Sequence, residues 1–287
     1  MATMNVLTVA RFTIQEAISR KLVLAGVVLS LCFVGLFALG FAFLHGRAVD
    51  SIDSGRTRMT LALFSSTMTV LGLYAVNFLS GFLALFVSVG SISSEIDSGT
   101  LHAVLARPIH RAELVLGRWL AYCLLMSAYV ALMVSLLLLV ARLIAGYEAP
   151  SPLPAIGLMV LSAVLLLTLS LFGSTLFSTL ANGVVVFSLF GLAWLAGIIE
   201  FFGAAIDNTA MINLGIFVSL LVPSDTIWRG ASYYIQSPSV LAMMAAGRDV
   251  LPFASNAPPA APMLLWALAY PVVLVVASIF TFSRRDL

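Results

Sequence analysis

Long apolar runs alternate with short polar breaks along this chain, at 22–44, 59–94, 119–140, 158–180, 184–206 and 263–282. Each run holds at least 20 residues, and Glu200 is the only charged side chain inside them. A hydrocarbon slab of about 30 Å is crossed by a helix of about 20 apolar residues, so the pattern predicts six transmembrane helices. Backbone groups in lipid must be paired within the segment, and the runs lack the period-two alternation of a membrane barrel. The expected fold is all-α, a single polytopic transmembrane domain over 1–287.

The breaks carry the finer expectations. In residues 1–21, Val6, Leu7, Ala10, Ile14, Ala17 and Ile18 recur at helical spacing, with Arg11, Gln15, Glu16, Ser19 and Arg20 elsewhere. That spacing predicts a short amphipathic helix lying along the membrane interface. Run 59–94 would extend about 54 Å as one helix, so part of it must tilt, kink or protrude, with Gly72, Gly81 and Gly90 as bending or close-packing points. The dipeptide Asn182-Gly183 predicts a tight turn joining the fourth and fifth spans. Residues 207–262 hold 12-residue apolar stretches such as Met211 to Val222, too short to cross unaided, and predict re-entrant or interfacial helices in an extracytoplasmic segment.

The most charged break is EIDSGTLHAVLARPIHRAELVLGRW, Glu95 to Trp119, with six of the chain's 26 charged side chains. Ser98 can cap a helix over Thr100 to Ala106 that sets Leu101, Val104 and Leu105 on one side, Gly99 permits the turn, and Pro108 disfavours helix at Arg107. A second helix is expected from about Ala112, running through Gly117 and Trp119 into the third span. A two-turn helix with an apolar tip and nothing of its own chain to pack on has the form of a plug for another protein.

Composition agrees: 62% of residues are hydrophobic and 9% charged, against roughly 45–50% and 25% in soluble domains. A formal charge of +2, with Lys and Arg scattered in short loops, argues against nucleic acid. Cys32 and Cys123 fall inside spans without C-x-x-C spacing and read as small apolar packers. The first apolar run is far longer than a signal-peptide core and should remain as the first span. With both termini in the cytoplasm, eight Lys and Arg lie inside against six outside, the expected direction of bias.

These residues together resemble a known class. An acidic residue, a linker, Ser-Gly-Thr-Leu, a small apolar run, Arg-Pro, a basic residue and Glu-Leu-x-Leu-Gly-Arg before a span are similar to the coupling segment of membrane subunits of ABC exporters of the type-2 class. Val-Pro-Ser-Asp followed by Trp228 and Arg229, and a closing Phe-Ser-Arg-Arg-Asp-Leu, extend the likeness. The look is nearest to the branch that includes the permease of the nitrous-oxide-reductase maturation system. The resemblance implies a permease in the cytoplasmic membrane, paired with a second copy or a homologous permease. It implies docking to a separate ATP-binding cassette ATPase through Glu95, Asp97, Gly99, Thr100, Leu101, Val104, Arg107, Pro108 and Arg111, with Leu101 and Val104 in apolar contact and Arg107 and Arg111 pairing with acidic residues of that subunit. ATP would be bound by the partner, and this chain would hold no cofactor of its own; it contains no G-x-x-x-x-G-K-[ST] motif.

Three other readings use the same text. A gradient-driven transporter would want ionisable groups at mid-bilayer, and Glu200, with Asn77 as a polar neighbour of a conduit, is the sole candidate. Both residues also suit plainer roles, an interfacial carboxylate and an interhelical hydrogen bond. A membrane enzyme would need a site, and neither H-E-x-x-H nor G-x-S-x-G occurs; His102 and His110 lack a third ligand. A non-catalytic scaffold would be served by the plug alone.

Overall fold

The computed structural model describes residues 6–19, 21–51, 57–93, 111–246 and 253–284. Among these there are ten helices and no strand: α1 (Val6–Ser19), α2 (Lys21–Ser51), α3 (Thr57–Ser88), α4 (Arg111–Ala145), α5 (Pro152–Leu176), α6 (Thr179–Ala205), α7 (Thr209–Leu221), α8 (Ser224–Ile235), α9 (Pro238–Ala245) and α10 (Ala261–Ser283). Six of them, α2 to α6 and α10, are long and apolar enough to cross a bilayer. The chain is an all-α, multi-pass membrane protein.

Helix α5 is the hub, packing against α3, α4, α6, α8 and α10. Its Leu166 and Leu167 join Val70 and Leu73 of α3 and Met126, Met133 and Leu137 of α4 in one buried cluster, all at 2% exposure or less. The opposite faces of α2, α6 and α10 are apolar and exposed, as at Leu39, Leu180 and Leu265, which suits helices wetted by lipid. Helix α3 runs without a break through Gly72 and Gly81. These glycines let rings close in: a Cβ on Gly81 would sit 2.8 Å from the Phe190 ring. Cys123 packs half-buried at the edge of the core, whereas Cys32 faces outward rather than packing.

Helix α1 lies against α4 through Val9, Thr13 and Ala17. Of the apolar set expected from spacing, only Ala17 is fully buried; Leu7 and Ile18 point away from the protein, leaving a second apolar stripe for the membrane interface. The helices approach closely because Gly117 lacks a side chain, and a Cβ there would lie 2.6 Å from Val9 Cβ and 3.0 Å from the Val6 carbonyl. Gly117→Val is expected to pry α1 from α4, read as faster proteolysis within residues 6–19 in lipid nanodiscs while the spans stay protected. Unchanged cleavage would contradict this packing.

One expectation needs correcting. The fourth and fifth spans do not turn at Asn182-Gly183, because both residues lie inside α6. The reversal is at Phe177 and Ser178, both extended, with φ/ψ of −112°/162° and −64°/161°. In water Asn-Gly favours a turn; here the Asn182 amide is fully buried and bonds main-chain carbonyls of two neighbouring elements, which an apolar interior rewards.

Beyond α6 the chain doubles back at once. Asp207 takes a left-handed conformation (φ 53°), and the Asn208 side chain caps α7 by accepting from the Ala210 and Met211 amides. Helix α7 runs alongside α6, then bends by 100° into α8 at Val222 and Pro223. The last carbonyls of α7 are met by α10, with Trp266 Nε1 donating to Leu220 at 3.0 Å and the Tyr270 hydroxyl to Leu221 at 2.7 Å. Helix α8 ends beside the α4–α5 connection: the Ser151 amide donates to the Tyr234 carbonyl at 3.1 Å, and the Tyr147 hydroxyl to the Ile235 carbonyl. The α7–α8 pair therefore starts at the α6 end and finishes at the α4–α5 connection, both at one end of the bundle.

Candidate functional site

Glu95, Asp97, Gly99, Thr100, Leu101, Val104, Arg107 and Pro108 lie outside the described residues; what surrounds them is described. The two roots of that connection, Val89–Ser93 after α3 and Arg111 at the start of α4, sit at the end of the bundle opposite the α7–α8 pair. Ile92 on one root and Leu114 and Val115 on the other are buried with Val9 of α1, Leu171 of α5 and Phe282 of α10, all at 5% exposure or less. Five elements thus share one small apolar cluster directly between the roots.

Polar contacts fasten the same place. Asn182 Nδ2 donates to the Val89 carbonyl at 2.8 Å and to the Ser170 carbonyl at 2.9 Å. Ser91 Oγ lies 3.1 Å from Ser174 Oγ, and Ser93 Oγ 2.8 Å from Thr179 Oγ1. On the other root, Arg111 Nη1 donates to the carbonyls of Phe282 (2.9 Å) and Ser283 (3.2 Å), with its guanidinium carbon 5.7 Å from the Phe282 ring centre. A cation on the last carbonyls of α10 is well placed against that helix's negative end. Arg111, which the resemblance assigns to ATPase docking, thus also holds the root to α10.

The opposite end carries a second polar group. Arg229 Nε donates to Asp225 Oδ2 at 3.0 Å within α8, at i,i+4 spacing, and the two side chains are 16% and 12% exposed. Arg229 Nη2 also donates to the Gly197 carbonyl of α6. Gly197 has no Cβ where one would collide with Asp225 Oδ2, so the ion pair sits directly on the α6 backbone. Around it, Tyr74 stacks on Phe253 with centroids 4.3 Å apart, tilts against Trp228 at 5.4 Å, and accepts from Trp194 Nε1. Trp228 is wholly buried and donates to the Phe253 carbonyl at 2.8 Å.

The two conduit candidates fall apart from each other. Glu200 is half-buried on α6 with its Cβ close to Gly215 of α7, near enough to Asp225 for like-charge repulsion. Asn77 is half-buried on α3, where no side-chain hydrogen bond is found among the described residues. From Asn77 toward the α3 root, and away from Glu200, runs an aromatic wall: Phe78 and Phe82 of α3 meet Phe190 of α6 at 5.2 and 5.8 Å, and Phe86 meets Phe187 at 5.3 Å. Asn182 as a bonding residue and Asp225–Arg229 as an internal pair stand outside the expectations drawn from the sequence. The i,i+4 spacing of opposite charges in apolar text was the available signal for the latter.

Comparison with curated proteins gives no match. The family model described as ABC-2 family transporter protein matches residues 7–287, nearly the whole chain. On that match the chain belongs to the ABC-2 family of transporter proteins, as a membrane permease component of an ABC transporter.

Proposed function

We propose that this chain is the permease half of an ATP-driven exporter in the cytoplasmic membrane, with both termini inside and a second copy or a homologous permease beside it. The connection 95–118 faces the cytoplasm and docks on a separate ATP-binding cassette ATPase, which binds the ATP. Leu101 and Val104 give apolar contact, Glu95 and Asp97 lead in, Gly99 permits the turn before a helix that starts at Thr100 and stops before Pro108, and Arg107 and Arg111 pair with acidic groups of the ATPase. The supporting observation is the convergence of α1, α3, α4, α5 and α10 on one cluster between the roots of that connection. Work done there reaches the whole bundle, because the roots have no slack.

On this reading the α7–α8 pair is re-entrant, dipping from the outer face and returning to it. The substrate route passes the aromatic wall of α3 and α6, with Asn77 and Glu200 at its margins, and its apolar surface suits an amphipathic or lipid-like cargo.

The orientation is tested by cysteine labelling in a chain lacking Cys32 and Cys123. Val104→Cys should resist a membrane-impermeant maleimide in intact cells and react in inside-out vesicles, and Ile206→Cys at the far end of α6 should do the reverse. Labelling of position 104 from outside would overturn the topology and the docking role together.

A further inference from the structure

The α3 root is bound to the reversal between α5 and α6 by more than shape. Val89 lies past the end of α3, and its carbonyl accepts from Asn182 Nδ2 in the first turn of α6 at 2.8 Å, with Ser93 Oγ a weaker second donor at 3.5 Å. The same nitrogen reaches the Ser170 carbonyl near the end of α5, so one side chain holds three elements. Gly173 makes this approach possible, since a Cβ on it would overlap the Asn182 amide oxygen. The Ser91–Ser174 and Ser93–Thr179 contacts continue the seam toward residue 93, and only Phe177 and Ser178 separate the two helices.

Asn182, Ser91, Ser93, Ser170 and Ser174 are buried, with Val89 and Thr179 half-buried at the edge of the seam, and buried polar groups that lack water keep the partners they have. We infer that Asn182 is a positioning residue that makes the α5–α6 hairpin follow the trailing end of α3, so that a displacement at residue 93 is delivered to α6 and its face of Phe187, Phe190 and Trp194. This rests on the ATP-driven reading for its purpose, though the seam itself does not depend on any partner. Helix α6 contributes no residue to the apolar cluster between the roots, so this seam is its polar tie to the trailing end of α3.

The test uses spin-label pairs in the chain lacking Cys32 and Cys123, in lipid nanodiscs. Phe86→Cys with Val184→Cys, both outward-facing at 42% and 61% exposure, reports the seam in the chain alone. Wild-type Asn182 should give a narrow distance distribution, and Asn182→Leu one at least twofold wider. Ser91→Ala with Ser93→Ala, a gentler change that leaves Asn182 in place, should widen it less. With the partner ATPase and ATP, a Val184–Val276 pair (α6 to α10) and a Phe86–Leu124 pair (α3 to α4) should both shift in the wild type. In Asn182→Leu the α3–α4 shift should persist while the α6 shift is lost, an outcome that general loss of stability would not produce. Unchanged width in the chain alone, or an α6 pair that still responds to ATP in Asn182→Leu, overturns the inference. A wild type in which ATP moves neither pair contradicts the ATP-driven reading instead, and the seam is then judged by the first measurement.

Discussion

Asp225→Leu is expected to destabilise the folded protein by about 3–5 kcal/mol, because it strands the Arg229 guanidinium inside the protein without its counter-charge. The pair is largely buried, at 16% and 12% exposure, and without Asp225 the Arg229 guanidinium keeps its bond to the Gly197 carbonyl. Removing both charges should cost much less: Asp225→Leu with Arg229→Met gives up the pair but leaves no unpaired ion, and apolar replacement of a buried pair is often near neutral. Thermal unfolding in detergent checks both, with a large drop in Tm for the single change and partial recovery for the double. Equal melting of the single variant and the wild type would show that Arg229 finds water, and that α8 is not sealed against α6.

The second large effect concerns the docking surface proposed for Leu101 and Val104. Leu101→Asp with Val104→Asp is expected to release the ATPase while leaving the six spans inserted. Burying a Leu or Val side chain contributes about 1.5–3 kcal/mol each, and two carboxylates in the same socket add a desolvation cost. A loss of about 3 kcal/mol already weakens binding by roughly a hundredfold, at 1.4 kcal/mol per factor of ten. Pull-down of the ATPase by the tagged permease, with membrane extraction as the control for insertion, reads this directly. Wild-type recovery of the ATPase would place the contact elsewhere.

How far the residues foretell the structure differs by scale. The spans follow from the bilayer itself, since continuous apolar text of about 20 residues has one stable use there. The helix running through Gly117 and Trp119 into the third span was visible for the same reason, and α4 extends from Arg111 to Ala145 without a break. The Asn182-Gly183 turn was misplaced because turn statistics describe chains in water, where asparagine has little to gain from a distant carbonyl. Asp225 and Arg229 stand four apart in plain view, yet their bearing on Gly197 depends on a hairpin between α6 and α7 that no local pattern encodes. Which side of α1 meets the bundle is not legible from spacing: Val9, Thr13 and Ala17 fit the close approach at Gly117, while Leu7 and Ile18 of the expected apolar set stay outward, toward the membrane interface.

On the proposed reading, this chain is moved by an engine that a separate ATPase subunit supplies. Purification of the tagged protein from its native membrane into lipid nanodiscs, followed by an ATP-hydrolysis assay with and without vanadate, tests that claim most directly. The account predicts a co-purifying ATP-binding cassette subunit in stoichiometric amount, whose vanadate-sensitive hydrolysis is lost from the Leu101→Asp, Val104→Asp preparation. A homogeneous preparation free of any ATPase, or hydrolysis indifferent to that double change, would contradict it.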